Sequence, residues 1–188
     1  MKKKMAAGLG IFTVGAIALA SSLTVAQQNE YQLVRQFGKV KRIIEEPGIY
    51  FKVPFVESVS TLPKETLIYD LTPSDVITKD KKTLICDSYV LWRIEDPLKF
   101  AQNSSLSNAE SRLNTSVYNA TKNVISSMDQ DQVISGRTGS LSEKVMENIG
   151  TNMEQYGIKL LSFETKQLDL PNDNKEAVYE RMISEREN

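Results

Sequence analysis

The sequence predicts an α+β protein: an N-terminal transmembrane helix, then an antiparallel sheet with packed helices, then the start of a C-terminal helix. Three observations predict it. Met5 to Ala26 is a run of 22 residues without a charge. Thr83 to Ile94 alternates strictly, with Cys86, Ser88, Val90, Trp92 and Ile94 on one face and Ile85, Asp87, Tyr89, Leu91 and Arg93 on the other, the period of a half-buried strand. From Leu106 the apolar positions Ala109, Leu113, Val117, Ala120, Val124 and Met128 recur at steps of three and four, the period of an amphipathic helix.

A helix of the first segment's length spans ~33 Å at ~1.5 Å per residue, close to the ~30 Å hydrocarbon core of a bilayer. Leu9, Ile11, Phe12, Val14, Ile17, Leu19 and Leu23 supply its apolar surface. Ala18-Leu19-Ala20 followed by Ser21 also fits a small-x-small cleavage site, so an uncleaved anchor over residues 5–26 and a cleaved signal peptide both fit the residues. A buried core helix fits poorly, because the run has no polar face. Lys2, Lys3 and Lys4 form a basic tip over residues 1–4, which orients the N-terminus to the cytoplasm and the body to the far side of the membrane.

The body opens with strands. Tyr31 to Val40, the turn Glu46-Pro47-Gly48 and Ile49 to Val56 read as a hairpin, with Pro54 confining the second strand to an edge. Phe51, Val53 and Phe55 fall on one side of it, Tyr50 and Val56 on the other. One face meets a core. The membrane surface is the candidate cover for the other, since the uncharged run ends only a few residues before Tyr31. A second hairpin joins Val76-Ile77-Thr78 to Thr83–Ile94 through the charged tip Lys79-Asp80-Lys81-Lys82, and Asp96-Pro97 ends it. Helices then start at the capping boxes Ser107-x-x-Glu110 and Ser140-x-x-Glu143, the second carrying Leu141, Val145, Ile149, Met153 and Tyr156 and stopping at Gly157. A strand follows from Ile158 to Leu170, and its apolar phase slips between Leu160 and Leu161, the mark of a bulge or of cover on both faces. Asp173-x-x-Glu176 opens a final helix that reaches Asn188 without a stop signal, so it either frays there or begins something longer.

Composition removes most chemistry. The chain has no histidine, which excludes Ser-His-Asp and Cys-His nucleophile pairs and His-containing zinc sites. Its one cysteine, Cys86, can neither close an internal disulfide nor supply a thiolate cluster, and reads as a buried filler. Beyond the tip the body carries 20 basic against 24 acidic residues, a balance that argues against a nucleic-acid surface. Glu45-Glu46 and Asp129-x-Asp131 are the closest carboxylate pairs, and neither has an accompanying nucleophile or ligand set. A peptidase of this composition would need a Ser-Lys arrangement, and no strand-turn-helix context brings such a pair together. The sequence therefore predicts no catalytic residue, no metal and no cofactor.

The ordered stretches Arg35-Gln36-Phe37-Gly38-Lys39-Val40, Glu46 through Glu57, Thr78 through Lys82 and Asp87 through Pro97 resemble the signature of the SPFH, or band 7, family of stomatins, prohibitins, flotillins and their bacterial counterparts. The distal stretches Tyr156–Ile158, Gln167–Pro171 and Ala177–Glu187 resemble the HflC branch most. The resemblance covers nearly all of the chain after Tyr31. It implies an SPFH domain over residues 27–171, the start of a coiled-coil helix over 172–188, and an uncleaved anchor in the bacterial inner membrane with the domain periplasmic. It further implies a scaffold without catalytic residues, which alternates with an HflK-like subunit in a large cage around the membrane protease FtsH and modulates it. A stomatin- or flotillin-like microdomain organiser uncoupled from any protease is the alternative. Under this reading Phe51, Val53 and Phe55 face lipid, while Val178, Arg181, Met182 and Glu185 of the last helix contact neighbouring subunits. The family usually continues past Glu187 into a long coiled coil, and some relatives carry a long insertion where this chain has the short connection Asp129 to Gly139.

Overall fold

The computed structural model describes residues 21–136 and 139–169. They form two units, residues 21–65 with 96–103, and 66–95 with the described residues from 104 onward.

The first unit contains β1 (Leu23–Ala26), β2 (Glu30–Gln36), β3 (Lys39–Ile44), β4 (Gly48–Phe51), β5 (Glu57–Pro63) and α1 (Pro97–Asn103). Strands β3-β2-β5 form one antiparallel sheet and β1-β4 a separate two-stranded ribbon. Two sequence expectations are corrected here. Leu23 to Ala26 is a strand rather than the end of a transmembrane helix, because Leu23 and Val25 find partners in Phe51 and Ile49. The first hairpin turns at Phe37-Gly38, so Tyr31 to Val40 is not one strand, and Ile49–Phe51 pairs with β1 instead of β2.

Ala26, Val34 and Ile44 form the core of this unit, with Tyr50 and Val59 packed against it. Buried Gln32 ties the ribbon to the sheet: its amide nitrogen donates to the Val25 carbonyl at 2.6 Å and to Glu30 Oε1 at 2.9 Å, and its oxygen accepts from the Thr24 hydroxyl at 3.2 Å. All three contacts satisfy an amide that would otherwise be costly to bury. Asp96-Pro97, expected only to stop a strand, also starts α1. Asp96 Oδ1 accepts from the Leu98 and Lys99 amides at 3.1 and 2.9 Å, and proline occupies the first helical position, where no amide is needed.

The second unit holds β6 (Leu67–Asp70), β7 (Ser74–Ile77), β8 (Thr83–Ile94) and β9 (Ile158–Asp169), with α2 (Leu106–Ser126), α3 (Gln130–Ser135), α4 (Ser140–Ile149) and a 3₁₀ turn over Glu154–Tyr156. Strand β8 is central, with β6 and β7 on one side and β9 on the other, all antiparallel. Its alternation is as read from sequence, every second residue from Leu84 to Ile94 being buried. Leu113, Val117 and Ala120 of α2, Leu141, Val145 and Ile149 of α4, and Ile158 and Phe163 of β9 complete the core. The phase slip in β9 is a bulge: Leu91 pairs with Ser162 and Trp92 with Leu160, leaving Leu161 unpaired. A second bulge skips Lys166, whose ammonium bridges Asp70 at 2.6 Å and Asp87 at 2.9 Å.

The helix caps differ from expectation by a few residues. Ser105, not Ser107, caps α2 by accepting from the Asn108 amide, and Leu106 at the start of the expected stripe is exposed. Helix α4 ends at Gly150, while Gly157 closes the 3₁₀ turn in a left-handed conformation, φ +73°. The connection after Asp129 contains α3, opened by a capping box between Asp129 and Gln132.

Candidate functional site

Most of the exposed apolar residues of the first unit lie on one face of the β1-β4 ribbon and in the loops at one end of the sheet. In the β1-β4 ribbon, Leu23 lies opposite Phe51 and Val25 opposite Ile49, and directly opposed residues share a face. All four are exposed, while the alternate residues Thr24, Ala26 and Tyr50 turn inward. Val53, Phe55 and Val56 continue this surface into the β4–β5 loop.

Register brings a second tip beside it. Gln36 pairs with Lys39 across the β2–β3 turn and with Glu57 at the start of β5, so the Phe37-Gly38 turn and the loop ending at Val56 occupy the same end of the three-stranded sheet. Leu23, where the chain enters from the uncharged run, lies opposite Phe51 at the start of that loop. The opposite end of the sheet is polar, with Lys64 bonded to the Asn29 and Glu45 carbonyls.

Within the first unit, backbone conformation singles out the two tips; the other non-glycine residue with positive φ among the described residues, Lys81, lies in the β7–β8 turn of the second. Phe37 has φ +50° and Phe55 φ +66°, in a region where bulky residues are rare and glycine or asparagine is usual. With Gly38 at φ +81°, the β2–β3 loop has positive φ at both central residues, the type I′ pattern that favours Asn-Gly. Phe37 is 86% exposed and Phe55 94% exposed, so neither ring gains core packing in return for the backbone strain. Strain retained at a solvent-exposed ring points to a contact outside the folded unit.

Glu57 holds the Phe55 loop. Its Oε1 accepts from Lys41 Nζ at 2.7 Å and its Oε2 from the Val53 amide at 2.9 Å, while its own amide donates to the Val53 carbonyl at 2.9 Å. The Lys41 hydrogen bond, followed by the Val53 amide, holds this carboxyl below the usual range. Lys41 reaches it because a bulge between Val34 and Arg35 leaves Lys41 outside the β2–β3 ladder.

Of the residues expected to face lipid or to form the anchor, the structure thus brings Leu23, Phe51, Val53 and Phe55 together. Leu9, Ile11, Phe12, Val14, Ile17 and Leu19, and the expected subunit contacts Val178, Arg181, Met182 and Glu185, lie outside the described residues. Among the described residues no helix is long and apolar enough to cross a membrane. Sequence reasoning missed Phe37, Val25 and Ile49 as members of this surface. The matched alternations Leu23-x-Val25 and Ile49-x-Phe51 were the available signal. Cys86 is buried, and burial pushes its thiol up to about 11, which leaves it protonated and unreactive at neutral pH. Among the described residues no group of three carboxylates or thiols converges as a metal site.

Comparison with known proteins agrees with the signature. The model of the SPFH domain / Band 7 family matches residues 24–188. Protein HflC of Haemophilus influenzae is 28% identical over 189 residues, covering 94% of this chain and 64% of that protein. Protein HflC of Buchnera aphidicola from Acyrthosiphon pisum is also 28% identical, over 91% of this chain and 63% of its own length. A protein named modulator of FtsH protease HflC, from Escherichia coli K12, is 26% identical over 227 positions, covering 95% of this chain and 68% of that protein. The chain thus spans just under two thirds of the length of the first two relatives. A family match running from β1 to the last residue, over strands and helices in the order described, makes this chain a member of the SPFH domain / Band 7 family.

Proposed function

We propose that this chain is a non-enzymatic, HflC-like scaffold subunit, anchored in the bacterial inner membrane by the uncharged segment, with its SPFH domain on the periplasmic side. In this reading the anchor takes residues 5–22, ahead of strand β1 at Leu23, and 18 residues in a helix would span ~27 Å, within reach of a bilayer core. The observation that carries the reading is the convergence at one end of the first unit: the chain enters there, and Phe37, Phe51, Val53 and Phe55 are exposed there. A surface of that kind, directly after an anchor, rests on the outer leaflet.

In this reading the chain assembles with an HflK-like SPFH subunit and modulates an FtsH-like membrane protease, without cleaving substrate itself. The relatives' names support the link to the protease, and the lack of histidine agrees with a non-enzymatic role. Val178, Arg181, Met182 and Glu185 would make the contacts between subunits.

Affinity purification of the full chain from a detergent extract tests the assembly: an HflK-like subunit and an FtsH-like protease should co-elute. Recovery of SPFH subunits without the protease would favour the microdomain organiser instead. Phe51→Ser with Phe55→Ser should lower cross-linking of lipid to residues 49–57 while the protein stays folded. Unchanged cross-linking would refute the membrane-facing surface.

A further inference from the structure

The apolar end of the first unit carries more cations than carboxylates. Between Arg35 and Lys52 the chain carries Arg35, Lys39, Lys41, Arg42 and Lys52 against Glu45 and Glu46 alone, although the body as a whole is acidic. Lys41 is paired with Glu57. Among the described residues Lys39 and Lys52 make no ion pair; Arg42 makes none within 4.0 Å, although its charge adds to that of Lys41 in holding the Glu57 carboxyl down.

Each of these three lies close to the apolar surface. Arg42 Nη2 donates to the Phe51 carbonyl, which keeps the guanidinium at the end of β4. Lys52 sits between Phe51 and Val53, with its amide donating to the Ser22 carbonyl at 2.7 Å. Lys39 follows the Phe37-Gly38 turn, and a concavity of about 420 Å³ lies there, lined by Gln36, Phe37, Lys39, Val40 and Lys41.

Building on the membrane-facing reading above, we infer that this end of the unit selects anionic phospholipid. The rings of Phe37 and Phe55 enter the acyl region, while Lys39, Arg42 and Lys52 hold headgroup phosphates, one of them seated in the concavity beside Phe37. A zwitterionic headgroup offsets its phosphate with its own cation, whereas an anionic one leaves it for the protein. A lysine or arginine near an anionic surface is worth about fivefold in binding, and the effect fades within about 8 Å at physiological salt, so only cations at the surface count. A second copy of this chain is a poor occupant, because docking this face on itself would oppose like charges.

The test uses the full chain in nanodiscs containing equal amounts of phosphatidylglycerol and phosphatidylcholine, with bromine on the acyl chains of one lipid at a time. Phe37→Trp supplies the reporter, since Trp92 is buried in the other unit and gives a constant background. Brominated phosphatidylglycerol should quench the reporter at least about twice as strongly as brominated phosphatidylcholine. That ratio should fall clearly in Lys39→Gln with Lys52→Gln, which leaves only the Arg42 share of the preference, and should approach one at 1 M salt. Equal quenching by both lipids in the parent reporter overturns the selectivity and leaves the membrane contact standing. A preference undiminished by the double substitution overturns the assignment to these residues, and absence of quenching by either lipid overturns the membrane-facing reading as well.

Discussion

Replacing Phe37 by asparagine separates what the ring does for the fold from what it does outside it. Phe37 and Gly38 both have positive φ, and Asn-Gly is the preferred pair for a two-residue hairpin of this type. A left-handed conformation costs an ordinary residue about 1–2 kcal/mol, most of which asparagine avoids. Phe37→Asn should therefore stabilise the β2–β3 hairpin by about 1 kcal/mol and slow amide exchange of Val34 to Val40 about fivefold in detergent. Contact with lipid should move the other way. A phenylalanine of ~200 Å² that is 86% exposed offers about 170 Å² of apolar surface, worth at most about 4 kcal/mol on full transfer at ~25 cal/mol per Å². Half immersion leaves about 2 kcal/mol, roughly thirtyfold in the equilibrium between an immersed and a lifted tip. A phospholipid with a photoactivatable acyl chain should then label residues 35–42 several-fold less in the variant. Faster exchange would refute the strain argument, and unchanged labelling would refute the immersion of Phe37.

Glu57→Gln should release the Val53–Phe55 loop from Lys41, increasing amide exchange at Val53 and lowering photolabelling of residues 52–56, with exchange in β8 unchanged. The Thr78 hydroxyl, then Lys82 and the Gln130 amide, pull the Asp80 carboxyl down to about 2, so the stability it adds is full above about pH 4 and is lost as pH falls toward 2. Asp80→Asn should accordingly be less stable than the parent at pH 7 in urea unfolding, with the gap closing between pH 4 and 2; a gap constant with pH would mean that the charge is irrelevant. Leu113→Ala, at a fully buried position in α2, should destabilise the second unit by about 2–5 kcal/mol, seen as a lower urea midpoint of Trp92 fluorescence.

How far these elements were legible follows from what fixes each. Strand β8 is buried on one face along its whole length, so the sequence must alternate and its faces can be read directly. The bulge at Leu161 was visible for the same reason, since one extra residue inverts the phase that the core demands. Helix starts were less legible. Ser107, with Glu110 three residues on, carries the capping-box signature, yet the helix starts two residues earlier, where the Ser105 hydroxyl accepts from the Asn108 amide. Asp96-Pro97 is compatible with a strand end and with a helix start, and here it serves as both, because Phe100 is buried.

The surface at the end of the first unit was half legible, for a reason tied to its chemistry. Phe51, Val53 and Phe55 stand out as an apolar run, but an apolar run alone does not distinguish core from contact surface. Leu23 and Val25 were absorbed into the uncharged segment before them, since a strand that prolongs an uncharged apolar run has the same composition as the run. Only its pairing with Ile49 and Phe51 separates the two. Phe37 escaped because a phenylalanine is a poor residue for the turn it occupies, and turn signals are written in asparagine and glycine. That mismatch is itself informative. Where local propensity, core packing and exposure all disfavour a ring and the ring is present, its stabilising partner lies beyond the fold. Phe37 and Phe55 meet this condition at the same end of one sheet, beside Lys39 and Lys52, which make no ion pair among the described residues. A leaflet with anionic headgroups meets the requirements of the rings and of the cations together, which neither solvent nor a second copy of the same face does.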